Sequence, residues 1–422
     1  MPTLINVLDV NGKKTTLTWN DDRIVVTEGS SGPDPVIDGG GLTVIPGLVD
    51  LHTHLREPGG EDAETILTGC QSAVAGGFTA LSAMPNTEPA ADTAGVVEQI
   101  FRLGQQHKLC DVFPIGAVTE SRSGKHLAEI AAMNASAAKV RIFSDDGNCV
   151  SDPLVMRRAL EYVKAFDGVI AQHAQDPRMT EDAQMNEGIV SARLGLKGWP
   201  AVAEEAIIAR DVLLADHVGS RLHICHVSTA GSVDIIRWAK ARGINVTAEV
   251  TPHHLLLDDD VAGSYDPIYK VNPPLRTKAD VEALREGISD GTIDIIATDH
   301  APHPSEKKEC EWSAAAFGMV GLETALGVSA RALVDTKIIS FARLIELLAT
   351  KPAQIGRYTN HGSLEPGSVA NFALIDRDKK WEVKSEALRS KSKNTPFARL
   401  ELGYQVKATY FRGSLVFQES ME

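Results

Sequence analysis

The chain has 422 residues, of which 43% are hydrophobic and 23% charged, and its formal net charge at pH 7 is −14. These proportions are typical of a globular protein and exclude a disordered or fibrous chain. The length allows one large α/β barrel with a smaller domain, or two to three ordinary domains. The negative charge, without a run of Lys and Arg, argues against a nucleic-acid partner.

Membrane and disulfide signals are weak. The amino-terminal residues show no charged segment followed by an apolar one, and no apolar run approaches membrane-spanning length. The five cysteines are scattered and form no Cys-X-X-Cys pair. We therefore expect a cytoplasmic protein with reduced thiols and no membrane partner.

Short strands separated by turns are predicted at both ends of the chain. They are Leu4–Leu8, Lys14–Trp19, Arg23–Thr27 and Leu42–Ile45, and later Ala370–Asp376, Trp381–Lys384, Ala408–Arg412 and Ser414–Gln418. Neither set can bury a face alone. We therefore predict one small discontinuous β-sandwich domain from residues 1–45 and 361–422. Two unrelated terminal extensions are the alternative, but they would leave strand edges open.

Between the termini, apolar strands alternate with amphipathic helices. The predicted strands are Gly47–Leu51, Phe78–Met84, Val112–Val118, Ala138–Phe143, Gly168–Gln172, Arg221–Cys225, Ile244–Val250 and Ile293–Thr298. The predicted helices are Ala63–Ala75, Thr93–Gln106, Lys125–Asn134, Pro153–Ala165, Ala201–Ala215, Ala230–Ala241, Lys278–Ser289 and Val320–Leu333. Eight such units predict a (β/α)8 barrel over residues 46–360. An open doubly wound sheet is the alternative, but the first strand–helix junction lacks a Gly-X-Gly-X-X-Gly turn.

Histidines and aspartates follow five of these eight strands. They are His52 and His54 after the first strand, Asp145 and Asp146 after the fourth, His173 after the fifth, His226 after the sixth and Asp299 after the eighth. Any one of them can be an ordinary polar residue at a strand end. Together at the carboxyl rim of a barrel they match a two-metal site suited to Zn²⁺.

For some of these predicted ligands, a neighbouring histidine or aspartate could take the same role. His223 and His226 are three residues apart and face opposite sides of a strand, so only one points into the barrel mouth, and we choose His226 at the strand end. His253 and His254 lie in a loop, where packing or hydrogen bonding to ligands is the simpler role. Either Asp145 or Asp146 could be the ligand while the other fixes the turn.

These residues predict a reaction class. Two metals about 3.5–4 Å apart can share a water and lower its pKa to about 7, which makes hydroxide a nucleophile. Asp299 could accept the proton and return it to a leaving nitrogen, so hydrolysis of a C–N bond, or its reverse, is expected. Arg56, with Asn86 and His303, would bind a carboxylate of a small anionic substrate.

Seven motifs of the chain resemble the amidohydrolase superfamily and, within it, the long-chain dihydroorotase family typical of bacteria. They are Val49–Gly59 (VDLHTHLREPG), Ala83–Thr87 (AMPNT), Phe143–Gly147 (FSDDG), Ala171–His173 (AQH), His223–Ser228 (HICHVS), Val271–Arg276 (VNPPLR) and Ala297–His303 (ATDHAPH). The resemblance implies reversible cyclisation of N-carbamoyl-L-aspartate to L-dihydroorotate in pyrimidine synthesis.

The resemblance also implies residue roles. The metal ligands would be His52, His54, Asp146, His173, His226 and Asp299, holding two Zn²⁺ per subunit that are bridged by Asp146 and a hydroxide, with Asp299 as the general acid and base. The substrate contacts would be His54, Arg56, Asn86, Asn272, His303, Phe317 and Gly318. Many superfamily members instead bridge their metals with a carboxylated lysine. Lys139 lies too early in its strand for that role, so we predict no carboxylysine here.

Other expectations concern alternatives and partners. Dihydropyrimidinase, hydantoinase and allantoinase are the enzyme alternatives, and they need no carboxylate-binding arginine. A non-catalytic scaffold for aspartate transcarbamoylase is a further alternative, although this chain retains every metal ligand. A homo-oligomer is expected, and assembly with aspartate transcarbamoylase is open. The segment His300–Gly318 is predicted to be a mobile lid, with its lysines in solvent.

Overall fold

The computed structural model describes residues 1–26 and 35–419. Eight parallel strands form two neighbouring sheets, one with β1–β3 and the other with β4–β8. They are β1 Leu48–Thr53, β2 Phe78–Ala83, β3 Asp111–Pro114, β4 Ile142–Phe143, β5 Val169–Gln172, β6 Arg221–Ile224, β7 Val246–Val250 and β8 Ile295–Ile296. Single parallel bridges link the two sheets, from Gly116 to Phe143 and from Thr53 to His300.

Helices follow these strands along the chain. They are α1 Ile66–Ala75, α2 Ala94–His107, α3 Ile130–Ala135, α4 Pro153–Lys164, α5 Val202–Val218, α6 Ala230–Ala241, α7 Lys278–Asp290 and α8 Ala325–Leu333. Local sequence explains several helix starts: Asp152 accepts hydrogen bonds from the first turn of α4, which begins with proline. Thr277 and Asp280 form a capping box at α7. No helix in the described ranges is long and apolar enough to cross a membrane.

Shorter elements complete the region. The helices are Ile189–Leu194, Pro252–Leu256, Ser305–Lys308, Phe341–Ile345 and Lys351–Gly356, with a π-helical turn at Glu346–Thr350 and 3₁₀ turns at Glu120–Arg122, Asp259–Ser264, Pro267–Tyr269 and Ser385–Ala387. Met185–Asn186 pairs with Gly198–Trp199 in the segment after β5. In the segment after β8, Lys307 is exposed but Lys308 is buried, so the expectation of solvated lysines is wrong for Lys308.

The predicted fourth strand is too long. We predicted Ala138–Phe143, but only Ile142–Phe143 pairs as a strand. Lys139 has a φ of 51°, in the left-handed region, and the Asn134 side chain donates to the Val140 carbonyl at 2.8 Å. The chain therefore turns before β4, because a left-handed residue cannot continue an extended ladder.

Strands from both ends of the chain form one eight-stranded sheet. Its members are Thr3–Leu8, Lys14–Asn20, Arg23–Val25, Val36–Asp38, Thr43–Pro46, Phe372–Asp376, Gln405–Phe411 and Ser414–Gln418. The two termini meet where Thr43–Pro46 pairs antiparallel with Phe372–Asp376. Trp19 packs on one face, with ring centroids 5.3 Å from Phe372 and 5.9 Å from Tyr410. Each terminal set thus supplies the partner that the other lacks.

Three details of the terminal strands differ from the prediction. Val36–Asp38 is an additional strand, and Trp381–Glu382 pairs with Glu401–Leu402 in a separate two-stranded sheet. The predicted strand Arg23–Thr27 ends at Val25, and Thr27 lies outside the described residues. The proposed domain limits, 1–45 with 361–422 and 46–360, stay a prediction.

Candidate metal centre

Asp146, just after β4, lies at the centre of a buried cluster. Its Oδ1 atom is 3.5 Å from His52 Nε2 and 3.4 Å from His54 Nε2. These two imidazole nitrogens also face Asp299 Oδ1, at 3.5 Å and 2.9 Å. One carboxylate oxygen of Asp146 therefore belongs to a first group of four donor atoms.

The other carboxylate oxygen of Asp146 faces a second group. Its Oδ2 atom is 2.9 Å from His173 Nδ1 and 3.2 Å from His226 Nε2, and these two nitrogens are 2.8 Å apart. All six predicted ligands are at most 5% exposed. The strand ends thus bring together all the residues predicted as ligands, with Asp146 between two groups.

The donor atoms fit divalent ions. Ligands about 2.1 Å from a tetrahedral ion lie about 3.4 Å apart, close to the separations in the first group. His52 Nε2 is buried and has no hydrogen-bond partner among the described residues. An unsatisfied imidazole nitrogen aimed at two carboxylates is the expected geometry of a metal ligand.

The carboxyl groups of the cluster are negatively charged beside the histidines. Burial alone would raise the pKa of Asp146, but His52 and His173 outweigh burial and hold that pKa well below its usual range. Burial would also raise the pKa of Asp299, but His52 and His54 lower it to about 2. Both carboxyl groups are therefore ionised, as metal binding requires.

Glu249 on β7 is a buried residue that the sequence reasoning missed. Its carboxylate accepts a hydrogen bond from His52 Nδ1 at 2.6 Å and lies 3.0 Å from His223 Nε2. The bond to Nδ1 orients the ring, so that in neutral His52 the Nε2 atom carries no proton and is directed at the cluster. An acidic residue inside an otherwise apolar strand was the available sequence signal.

The structure distinguishes the two members of each residue pair whose roles the sequence left open. Asp145 accepts hydrogen bonds from the backbone N–H groups of Val118 and Thr119 and from the Thr119 hydroxyl, so it orders a turn. Asp146 instead faces the histidines. His223 contacts Glu249 and Thr247 and takes no part in the cluster.

The neighbouring histidines and Lys139 also have defined positions. His253 and His254 are both buried, and His254 Nε2 lies 3.1 Å from the Pro273 carbonyl. The side chain of Lys139 is exposed and donates to the Ala135 carbonyl at 3.2 Å. The Lys139 side chain therefore lies at the protein surface, hydrogen-bonded to the residue four positions earlier.

Three residues of the site have left-handed backbone conformations. The φ angles are 63° for Arg56, 30° for His226 and 47° for Asp299. Such conformations cost a non-glycine residue of order 1–3 kcal/mol, and they cluster at functional sites. Packing around the strand ends maintains these conformations and aims the side chains at one point.

Arg56 lies beside the first donor group. Its guanidinium donates from Nε to the Pro302 carbonyl at 3.2 Å, and Nη2 is 3.5 Å from His303 Nε2. No carboxylate of residues 1–26 or 35–419 lies within 4.0 Å of it. Burial lowers the pKa of Arg56 to about 10, so it remains charged at neutral pH. A partly buried cation that forms no direct ion pair in the described residues can take a substrate carboxylate.

The other predicted substrate contacts surround the cluster. Asn86 Oδ1 is 2.8 Å from His54 Nδ1. His303 Nε2 is 2.7 Å from the Phe317 carbonyl, and a Cβ added to Gly318 would come within 2.9 Å of the same nitrogen. Gly318 therefore allows the chain to pass close to His303.

Gln175 is a second residue that the sequence reasoning missed. Its Oε1 atom accepts from Asn272 Nδ2 at 3.1 Å and lies 2.7 Å from His173 Nε2. The Oδ1 atom of Asn272 is buried and has no hydrogen-bond partner in the described part of the chain. Gln175 thus connects the second donor group to a predicted substrate contact. No motif in the sequence indicated it.

The chain is similar in sequence to proteins of one family. The family model described as dihydro-orotase-like matches residues 41–232. A dihydroorotase of Streptomyces coelicolor is 62% identical over 379 residues, covering 90% of this chain and 89% of that protein. A dihydroorotase of Mycobacterium tuberculosis is 51% identical over 385 residues, covering 91% and 90%.

Solved structures share the architecture. The L-hydantoinase (dihydropyrimidinase) of Arthrobacter aurescens has a TM-score of 0.88 at 26% identity, covering 100% of this chain and 96% of that one. The dihydropyrimidinase of Brevibacillus agri has a TM-score of 0.83 at 20% identity, covering 99% and 95%, and this second likeness shows the fold alone.

The fold, the histidine–aspartate cluster and these similarities define a metal-dependent cyclic amide hydrolase. Within that class, the chain belongs to the dihydroorotase family. The family resemblance predicted from the motifs is confirmed.

Proposed function

We propose that the chain catalyses the reversible cyclisation of N-carbamoyl-L-aspartate to L-dihydroorotate. The observation that carries this proposal is the position of Arg56, a charged guanidinium without a carboxylate partner in the described residues, beside the donor cluster. L-Dihydroorotate carries a carboxylate in addition to its cyclic amide. The relatives named dihydroorotase, at 44–62% identity, support the same substrate.

We further propose two divalent ions, of the zinc type, with Asp146 as the bridge. The two oxygens of Asp146 face separate donor groups, which supports this count. Such ions supply Lewis-acid activation of a water molecule and of the substrate carbonyl. His52 and His54 complete one group, and His173 and His226 the other.

The proposed role of Asp299 is proton transfer. Asp299 is ionised at neutral pH, so its carboxylate has lone pairs that can accept a proton from the attacking water. As the C–N bond of the ring breaks, Asp299 returns that proton to the leaving nitrogen. Arg56, Asn86 and His303 hold the substrate carboxylate, and the reverse sequence closes the ring.

The remaining fold and assembly assignments are also proposals. The bridges from Thr53 to His300 and from Gly116 to Phe143 support closure of β1–β8 into a (β/α)8 barrel. A homo-oligomer, and its assembly with aspartate transcarbamoylase, can be tested by light scattering on the chain alone and mixed with that enzyme.

The proposed function is tested on purified protein by metal analysis together with assays in both directions. L-Dihydroorotate hydrolysis is compared with hydrolysis of dihydrouracil and hydantoin. We expect metal-dependent turnover of dihydroorotate at least 100-fold faster than of the two uncharged rings. Preferred turnover of an uncharged ring would instead establish the hydantoinase-type function, which the 26% identical structural relative favours. A purified protein that binds no metal and hydrolyses none of these substrates would support the alternative of a non-catalytic scaffold.

A further inference from the structure

Two buried lysines connect segments that flank the candidate site. Lys270, in the segment after β7, is 2% exposed, and Lys308, in the segment after β8, is 4% exposed. Lysine is rarely buried unless it pairs with a carboxylate. Within the described ranges, neither ammonium group forms an ion pair with Asp or Glu.

Backbone carbonyl groups take the place of carboxylates. Lys270 Nζ donates to the carbonyl of Trp312 at 2.6 Å and lies 3.3 Å from that of Ser313. Lys308 Nζ donates to the carbonyl of Ala316 at 3.0 Å and to that of Lys270 at 3.1 Å. The two lysines therefore tie the 300–318 segment to the loop that contains Lys270.

The same contacts involve the predicted substrate-binding residues. The Gly318 N–H donates to the Lys270 carbonyl at 2.9 Å, and Lys270 Nζ lies 4.4 Å from the centre of the Phe317 ring. Asn272 follows Lys270 by two residues. The lysine contacts thus set the distance between Phe317-Gly318 on one segment and Asn272 on the other.

The charge state of the lysines affects this connection. Burial lowers the pKa of Lys270 to about 8 and, together with the charge of Lys270, that of Lys308 to about 7. Asp266 and Cys310 are the titratable groups nearby that oppose the shift at Lys308, and Cys310 does so at Lys270. The buried environment favours neutral lysine, so the contact between the segments should strengthen as the pH rises from about 7 towards the ordinary lysine pKa of 10.5.

We propose that Lys270 and Lys308 are positioning residues that hold the 300–318 segment in the substrate-binding arrangement. This inference rests on the proposed function for its kinetic consequence, but not for the contact itself. The lysines touch neither the donor cluster nor Arg56 in the described structure, so their effect is on substrate binding. Loss of either lysine should raise KM and leave metal content and kcat largely unchanged.

The test uses the metal-loaded enzyme with Lys308→Met, Lys270→Met and the control Lys307→Met. Methionine is also unbranched, is one heavy atom shorter than lysine, and has no hydrogen-bond donor. Lys307 is a matched control because its side chain is 58% exposed and forms an ion pair at the surface with Asp62, at 3.6 Å. Hydrogen–deuterium exchange over residues 300–318, without substrate, reports the contact independently of activity.

For both buried-lysine variants we expect exchange in this segment to increase at least tenfold and KM for dihydroorotate to increase at least tenfold, with kcat changed less than threefold. The KM ratio of variant to wild type should be at least threefold larger at pH 8.5 than at pH 6.5. The Lys307→Met enzyme should match wild type in every measurement.

Three outcomes would overturn the proposal. Unchanged exchange would show that the lysines do not hold the segment. Faster exchange with an unchanged KM would show a structural contact without a role in substrate positioning. A fall in kcat and metal content, without a rise in KM, would show a general effect on the fold. If the wild type lacked dihydroorotase activity, the proposed function would fail while exchange would still test the contact.

Discussion

Glu249→Gln tests how the metal centre is organised. Glu249 receives a hydrogen bond from His52 Nδ1 and also faces His223 Nε2. Glutamine keeps the shape but has one oxygen instead of two and no charge. It cannot accept from both imidazoles, so His52 loses its preference for the tautomer with a free Nε2.

The expected loss is 10- to 100-fold in metal affinity. This range is typical of groups that orient a metal-bound histidine, and it equals about 1.4–2.7 kcal/mol. The loss of metal affinity should be near the upper end of this range, because the His52–Glu249 distance of 2.6 Å indicates a strong charge-assisted hydrogen bond. Competition with a chelator measures the affinity, and dihydroorotate hydrolysis at saturating metal measures any remaining defect.

A partly buried glutamate away from the cluster serves as the control. Glu323 accepts from the Ser72 hydroxyl at 3.0 Å and from the Arg389 N–H at 2.7 Å. Glu323→Gln makes the same chemical change and should leave metal affinity within twofold of wild type. If Glu249→Gln also binds metal as tightly as wild type, Glu249 does not orient His52 and our account of the centre is wrong.

Three further predictions address the other groups. Arg56→Met should lower kcat/KM for dihydroorotate by at least about 30-fold, because removing one partner of a desolvated pair, here Arg56 and the substrate carboxylate, costs about 2–5 kcal/mol. Hydrolysis of dihydrouracil, which lacks the carboxylate, should change far less. Asp146→Asn should reduce the metal content, which metal analysis measures. Asp145→Asn should retain metal but lower the midpoint temperature of thermal unfolding, which calorimetry measures. Burial raises the pKa of Glu323 to about 7. Between about pH 4.5 and pH 7 the folded state therefore holds a proton on Glu323 that the unfolded state has lost, so the stability of the wild type should fall as the pH rises through this range. Relative to wild type, Glu323→Gln should therefore gain stability between pH 5 and pH 8, by at most about 1.4 kcal/mol per pH unit; an equal pH dependence would refute the assignment.

The sequence alone was sufficient to predict the eight strand–helix units and the polar residues that follow the strands. These features depend on short-range patterns. An apolar run followed by His52 and His54 indicates a strand that ends at a site, because side chains two residues apart share a face. The same patterns predicted α6 with its observed limits, Ala230–Ala241. They overextended β4, where a left-handed turn at Lys139 interrupts the strand.

Only the tertiary structure decided which polar residues meet. Asp145 and Asp146 are equivalent in the sequence, but the backbone N–H groups of the preceding strand segment engage Asp145 and leave Asp146 to the histidines. Glu249 reaches His52 across 197 residues of chain. Lys308 is buried because carbonyl groups of two different segments surround it. Short-range patterns specify elements, whereas these contacts arise from distant segments that meet only when the chain folds.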